Sequence, residues 1–137
     1  MKIKEIAEIL NAEILTDFSN ESTDIKFGFA SDLMSDVLAY ANSESMLVTG
    51  LNNAQVIRTA EMMDMSTVLF VRGKRPCKDI LDLAKENSVT VLTTNYTMFK
   101  TCGLLVLNGM KGIEADDWRF FKTIQLQYCC KWFHVCR

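Results

Sequence analysis

The chain predicts a three-layer α/β sandwich built on a mainly parallel sheet, and three observations carry that expectation. From Met46 onward, short apolar runs alternate with amphipathic stretches: strand 46–49, helix 53–64, strand 67–71, helix 77–87, strand 89–93, helix 96–107. The runs Thr67-Val-Leu-Phe-Val71 and Ser88-Val-Thr-Val-Leu92 are nearly continuous β-formers, as expected of strands that helices cover on both faces. Short turns join the elements, so right-handed crossovers would lay neighbouring strands side by side.

The elements follow in order. Ile3, Ile6, Ala7, Ile9 and Leu10 keep helical spacing and run into Asn11, which suits a helix end, before the strand-like Glu13-Ile-Leu-Thr16. Asp17 to Asp24 is rich in Ser, Asn and Asp and reads as a loop. Lys26-Phe-Gly-Phe-Ala30 reads as a strand in which Gly28 marks a bulge or a close backbone approach. Ser31 is placed to cap a short helix from Asp32 to Tyr40, whose Leu33, Val37 and Tyr40 would form one buried stripe.

The strand at 46–49 ends on Thr49 and Gly50 and opens a helix whose first turn carries Asn52, Asn53 and Gln55, with Arg58 a turn further on. In Arg72-Gly-Lys-Arg-Pro76, Gly73 frees the backbone and Pro76 is expected in the first helical turn, where its missing donor costs nothing. Asn95 is the expected N-cap of the helix after the strand that ends at Thr93. Thr49, Arg72 and Thr93 would then share the carboxyl edge of the sheet, where open α/β sheets hold ligands.

At 137 residues the chain has room for one domain, assigned to 1–113, plus a C-terminal extension over 114–137. The extension holds six of the 13 aromatic residues, three of the five cysteines and the single histidine. Trp118, Phe121, Ile124 and Tyr128 in it lie at helical spacing. A net charge of −2 without an extended basic face argues against nucleic-acid binding. No apolar run reaches the roughly 18–20 residues that span a bilayer, and MKIKEIAEIL is no signal-peptide core, so a cytoplasmic location is expected. An odd cysteine count without framework spacing argues for reduced thiols, with Cys77 and Cys102 as small buried hydrophobes.

The chemistry-bearing residues each have a structural alternative. Asp32 and Asp36, spaced i and i+4, could share a cation or a proton, but helix-end and surface roles are commoner. Thr49, Asn52, Asn53 and Gln55 could hydrogen-bond a base or phosphate or could simply cap the helix; GxGxxG and GxxxxGK[ST] are both lacking, which disfavours dinucleotide and Walker-type binding. Arg72, Lys74 and Arg75 could grip a phosphate or form a solvated loop, and Arg58 could join them or pair with Glu61. Cys129, Cys130, His134 and Cys136 have a C-C-x3-H-x-C spacing that matches no common zinc pattern, so no metal is expected. Met62, Met63 and Met65 suit a core or a dimer contact. With no activated nucleophile or general base in view, the site reads as binding rather than catalysis, and no cofactor is implied.

The phrases GFASDLMSDVL, LVTGLNNAQVIRTAEMMDM, VLFVRGKRP and VLTTNYTMFKTCGLL, in this order, resemble the DRTGG domain, a small α/β regulatory module of bacteria and archaea, over roughly residues 1–113. Ser31-Asp-Leu-Met-Ser-Asp36 is similar to the family's SDLLSD-like segment. At the naming motif, Asp24-Ile-Lys-Phe-Gly28 keeps only the Asp and the final Gly, and Leu51-Asn-Asn53 stands where many members carry a His-Pro-Asn-like sequence. The tail after Ile113 has no family counterpart and is either an extension or the product of a shifted reading frame.

The resemblance implies a non-enzymatic, homodimerising module that senses a ligand or docks on a partner protein. Combined with the expected edge, it points to an adenine nucleotide or a phosphorylated metabolite bound near Thr49, Asn52, Asn53, Gln55, Arg72 and Thr93, with Ser31 and Asp32 alongside. The alternatives are an interaction module docking on an enzyme of anaerobic redox metabolism and, less favoured, a small hydrolase or transferase using Asp32 and Asp36.

Overall fold

A computed structural model describes residues 1–16 and 22–113. It contains α1 (Ile3–Leu10), β1 (Glu13–Ile14), β2 (Phe27–Ala30), α2 (Met34–Tyr40), β3 (Ser45–Thr49), α3 (Ala54–Met62), β4 (Thr67–Phe70), α4 (Lys78–Glu86), β5 (Thr90–Thr93), α5 (Met98–Leu107) and β6 (Lys111–Gly112). The extension expected over 114–137, with its helical spacing and its Cys/His cluster, lies outside the described residues, as do residues 17–21.

The strands form one six-stranded sheet in the order β1-β5-β4-β3-β2-β6, parallel throughout except for β1, which runs antiparallel to β5 at one edge. Period-two alternation divides the apolar side chains between two cores. Leu47, Val68, Phe70 and Val91 face α2, α3 and α4, whereas Met46, Val48, Leu69, Val71 and Leu92 face α1 and α5. Helices therefore cover both faces, and the expected three layers are present.

The layering follows from chain direction. From β2 to β5 the chain steps across the sheet one strand at a time, and the three linking helices lie on one face. After β5 it must return to the far side of β2, in the opposite direction. A crossover of the same hand can do so only over the opposite face, and α5 packs there beside α1.

Local chemistry sets the boundaries. The Glu5 carboxylate accepts the Lys2 amide at 2.8 Å at the start of α1, and Asn11 ends it at φ 45°, a left-handed conformation that Asn tolerates. Gly28 pairs regularly on both sides with no bulge, and a Cβ there would lie 3.0 Å from the Met110 sulfur, so close approach is the reason for glycine.

Several expectations are corrected. α2 begins at Met34 rather than Asp32, with Leu33 as its N-cap, so Asp32 and Asp36 are not one turn apart on a single helix. Ser31 does not cap it; its hydroxyl instead accepts the Leu33 amide at 3.0 Å in a tight turn. The buried residues of α2 are Met34 and Val37, while Leu33 is 58% and Tyr40 36% exposed. Pro76 precedes the N-cap Cys77 instead of entering the first turn of α4. Thr97, not Asn95, caps α5, accepting the Lys100 amide at 3.5 Å. Cys77 is exposed and Cys102 half-buried, so neither is a core hydrophobe, although burial still pushes the Cys102 thiol above its ordinary pKa. Met65 is buried, Met63 partly so, and Met62 is 70% exposed. β6 has no counterpart in the sequence reading: it is a two-residue addition to β2 made of Lys and Gly, with no periodicity to betray it.

Candidate functional site

Register aligns Thr49 with Phe70 and Phe70 with Thr93, so β3, β4 and β5 end at one level. The amide of Val71 donates to the Thr49 carbonyl at 3.0 Å and that of Thr94 to the Phe70 carbonyl at 3.0 Å, extending the ladder just past the strand ends. Ser31, whose amide bonds the Val48 carbonyl at 3.0 Å, brings the end of β2 to the same rim. Thr49, Arg72 and Thr93 thus converge on one carboxyl edge, with Ser31 and Asp32 beside them.

Most of the polar side chains on this rim are engaged within the protein. One oxygen of Asp32 accepts both the Thr49 hydroxyl at 3.0 Å and the Gly50 amide at 2.7 Å. The Thr49 oxygen in turn accepts the Leu51 amide at 3.1 Å, so this buried hydroxyl both donates and accepts. Asn53 is the N-cap of α3, its side chain accepting the Val56 amide at 3.3 Å. The Asn52 amide donates to the Arg75 carbonyl at 3.1 Å across the two turns.

The turns after β4 and β5 are joined closely. The Arg72 amide donates to the Tyr96 carbonyl and the Gly73 amide to the Thr94 carbonyl, each at 2.8 Å, and the Thr93 hydroxyl donates to the Lys74 carbonyl at 2.7 Å. Thr94, buried behind them, donates its hydroxyl to the Leu10 carbonyl at 2.8 Å and so ties the end of α1 to the same place. The β4 connection goes to one face of the sheet and that of β5 to the other, which is where an α/β crevice is expected to open; here backbone and threonine bonds bridge it.

The cations separate. Arg75 forms an ion pair with Glu13, and Arg58 faces α4 across a groove of about 330 Å³ lined by Asp79, Asp82 and Glu86, joining neither the Arg72 turn nor Glu61. Arg72 sits at φ 58° with its guanidinium laid over Gly50: a Cβ on residue 50 would come within 3.0 Å of the guanidinium carbon. Among the described residues, Arg72 and Gln55 are both exposed and their side chains have no hydrogen-bond or ion-pair partner. Sequence reasoning did not count Gly50, Thr94 and Asn95 among the site residues; the Asn95 side-chain oxygen lies 2.9 Å from where a Cβ on Gly73 would stand. A glycine after a strand was the available signal, but only contacts between distant turns give it meaning.

Two further cavities lie away from this rim. One of about 330 Å³ at the amino end of the sheet is lined by Met1, Ile25, Phe27 and Met110, and an apolar groove of about 180 Å³ runs between α5 and the β2–β6 edge. No group of three His, Cys, Asp or Glu side chains among the described residues could hold a metal ion, and no helix among them is long and apolar enough to cross a membrane.

No curated protein sequence matches the chain. Its fold is similar to a crystal structure of the CBS and DRTGG domains of the regulatory region of Clostridium perfringens pyrophosphatase, complexed with the activator diadenosine tetraphosphate. The similarity has a TM-score of 0.62 at 20% identity and covers 77% of this chain but 46% of that one, so this chain spans less than half of its structural relative. The family model for the DRTGG domain matches residues 5–107, and with the sheet order and helix placement seen here, the chain belongs to the DRTGG domain family.

Proposed function

We propose that the chain is a non-catalytic, cytoplasmic regulatory module that binds a small phosphate- or adenine-bearing ligand at the carboxyl rim and works as a homodimer. The observation that carries this reading is the convergence of four parallel strand ends on one polar rim, where Arg72 and Gln55 present donors with no partner among the described residues. The likeness to a regulatory region that binds diadenosine tetraphosphate supports the ligand class. The polar groups fit recognition better than chemistry, since Thr49, Asn53 and Thr93 already serve the fold. A ligand that prefers one of two states of the dimer would shift their balance by its difference in affinity.

Thermal-shift measurement with AMP, ATP, diadenosine tetraphosphate and acetyl phosphate tests the reading. At about a hundredfold excess over Kd, binding adds roughly 2.7 kcal/mol to stability, a rise of several degrees in Tm. No shift with any of the four at saturation overturns it.

A second reading, docking on a partner enzyme, is favoured by the outer face of α5. Phe99, Val106 and Leu107 there are 91%, 63% and 83% exposed, and Gly103 between them leaves room for close approach. The same face would serve the dimer. Sedimentation separates the two: a particle of twice 15.6 kDa favours the homodimer, and a monomer that captures one stoichiometric enzyme from its own cell extract favours docking.

A further inference from the structure

We infer that Arg72 is the group that grips the ligand's phosphate and that residue 50 is glycine in order to let it do so; the inference rests on the rim-binding reading above and sharpens it. Around the rim, Thr49 and Asp32 hold each other and the Gly50 amide, Asn53 caps α3, Asn52 donates to the Arg75 carbonyl and Thr93 to the Lys74 carbonyl. These side chains build the edge and have little left to offer a ligand. Arg75 is neutralised by Glu13, whereas no carboxylate among the described residues lies within ion-pair distance of Arg72.

The guanidinium is also placed. The Arg72 amide is fixed on the Tyr96 carbonyl at 2.8 Å, and the side chain runs back across the neighbouring strand end to rest on Gly50. Gly50 is not among the residues with positive φ, so its backbone does not demand glycine. The guanidinium occupies the space beside it: a Cβ there would stand 3.0 Å from the guanidinium carbon and 3.2 Å from Nε, so a side chain at residue 50 would displace the arginine from this position. A planar, permanently charged fork lying over Gly50 at the carboxyl edge, exposed and without a partner among the described residues, suits two parallel N–H···O bonds to a phosphate, and a lysine ammonium would not reproduce that geometry.

The test titrates ATP and, separately, inorganic pyrophosphate into the full chain by calorimetry, using wild type, Arg72→Gln, Gly50→Ala and the double variant. Arg72→Gln is expected to weaken binding by about tenfold or more, as loss of charge-assisted bonds does, while the Tm without ligand stays unchanged. Gly50→Ala is expected to weaken binding similarly by displacing the same guanidinium. The double variant should then lose no more than about twofold beyond the weaker single, because both changes remove one interaction. If wild type binds and Arg72→Gln binds within about twofold of it, or if the double variant loses the product of the two single effects, the grip is refuted while the rim remains a binding site. If wild type binds neither ATP nor pyrophosphate, Arg72 grips no phosphate; the rim reading itself then falls only if the four-ligand thermal-shift screen is also negative. Arg72→Gln, an exposed change, keeps the test decisive should Gly50→Ala fold poorly.

Discussion

The two halves of the carboxyl rim are built differently. Between β4 and β5 the turns are bridged by backbone bonds from Arg72 to Tyr96 and from Gly73 to Thr94, reinforced by the buried hydroxyls of Thr93 and Thr94. From β2 to β4 the turns are joined mainly by side chains, the exposed Asp32 carboxylate on Thr49 and Gly50 and the Asn52 side chain on the Arg75 carbonyl, and the Arg72 guanidinium, without a partner among the described residues, lies over Gly50. Both halves end on parallel strands in the same register, so the strands themselves do not make the difference. Where backbone bonds join the turns, polar groups are consumed and the edge is sealed; where side chains join them, the Arg72 guanidinium is left exposed with no partner among the described residues.

The largest way to break this comparison is to remove what both halves share. Phe70, fully buried, sits in register between Thr49 and Thr93, and Phe70→Ala should cost about 3–5 kcal/mol in urea unfolding, a large part of a typical domain's stability, and loosen both halves together. Thr94→Val acts on the sealed half alone. It leaves the Leu10 carbonyl and the Tyr96 amide without the hydroxyl they use, which should cost about 1–3 kcal/mol by the same measurement.

Asp32→Ala addresses the open half. Water can replace part of what an exposed carboxylate gives, so a loss of about 0.5–1.5 kcal/mol is expected, with faster hydrogen exchange at Gly50 and unchanged exchange at Gly73. Equal acceleration at both amides would show that the halves are one unit. Thr90, on the same strand as Thr93, offers the contrast to Thr94: its buried hydroxyl has no partner among the described residues, so Thr90→Val should leave Tm unchanged or raise it.

The smallest effect is expected at the opposite end of the sheet. The N-terminal amine of Met1 bonds Asp24 and holds its carboxyl below the ordinary value of 3.8. Because the folded pKa is the lower one, the pair's contribution is present above 3.8 and fades as pH falls through the folded value; Asp24→Asn should flatten the acid limb of a Tm-versus-pH curve only in that range. Both rim halves should be untouched by it.

The strand–helix alternation from β3 to α5 was readable because burial on two faces imposes a local pattern: continuous apolar strands and helices with a single apolar stripe. Helix starts were less readable. Ser31 and Asn95 have the chemistry of caps, yet a nearby turn used the first and Thr97 displaced the second. The short strand β6 left no trace, since two residues carry no period.

The rim shows the same division. That Thr49, Arg72 and Thr93 end neighbouring parallel strands followed from the chain's own order of elements, because handed crossovers leave little choice of neighbour. Which polar groups on that rim remain free did not follow. Asp32 meets Gly50 across 18 residues and Thr94 meets Leu10 across 84, and only such distant encounters determine that Thr49 belongs to the scaffold while Arg72 has no partner among the described residues. Periodicity is a local property of sequence, whereas satisfaction of a hydrogen-bonding group is a property of whatever the folded chain brings beside it.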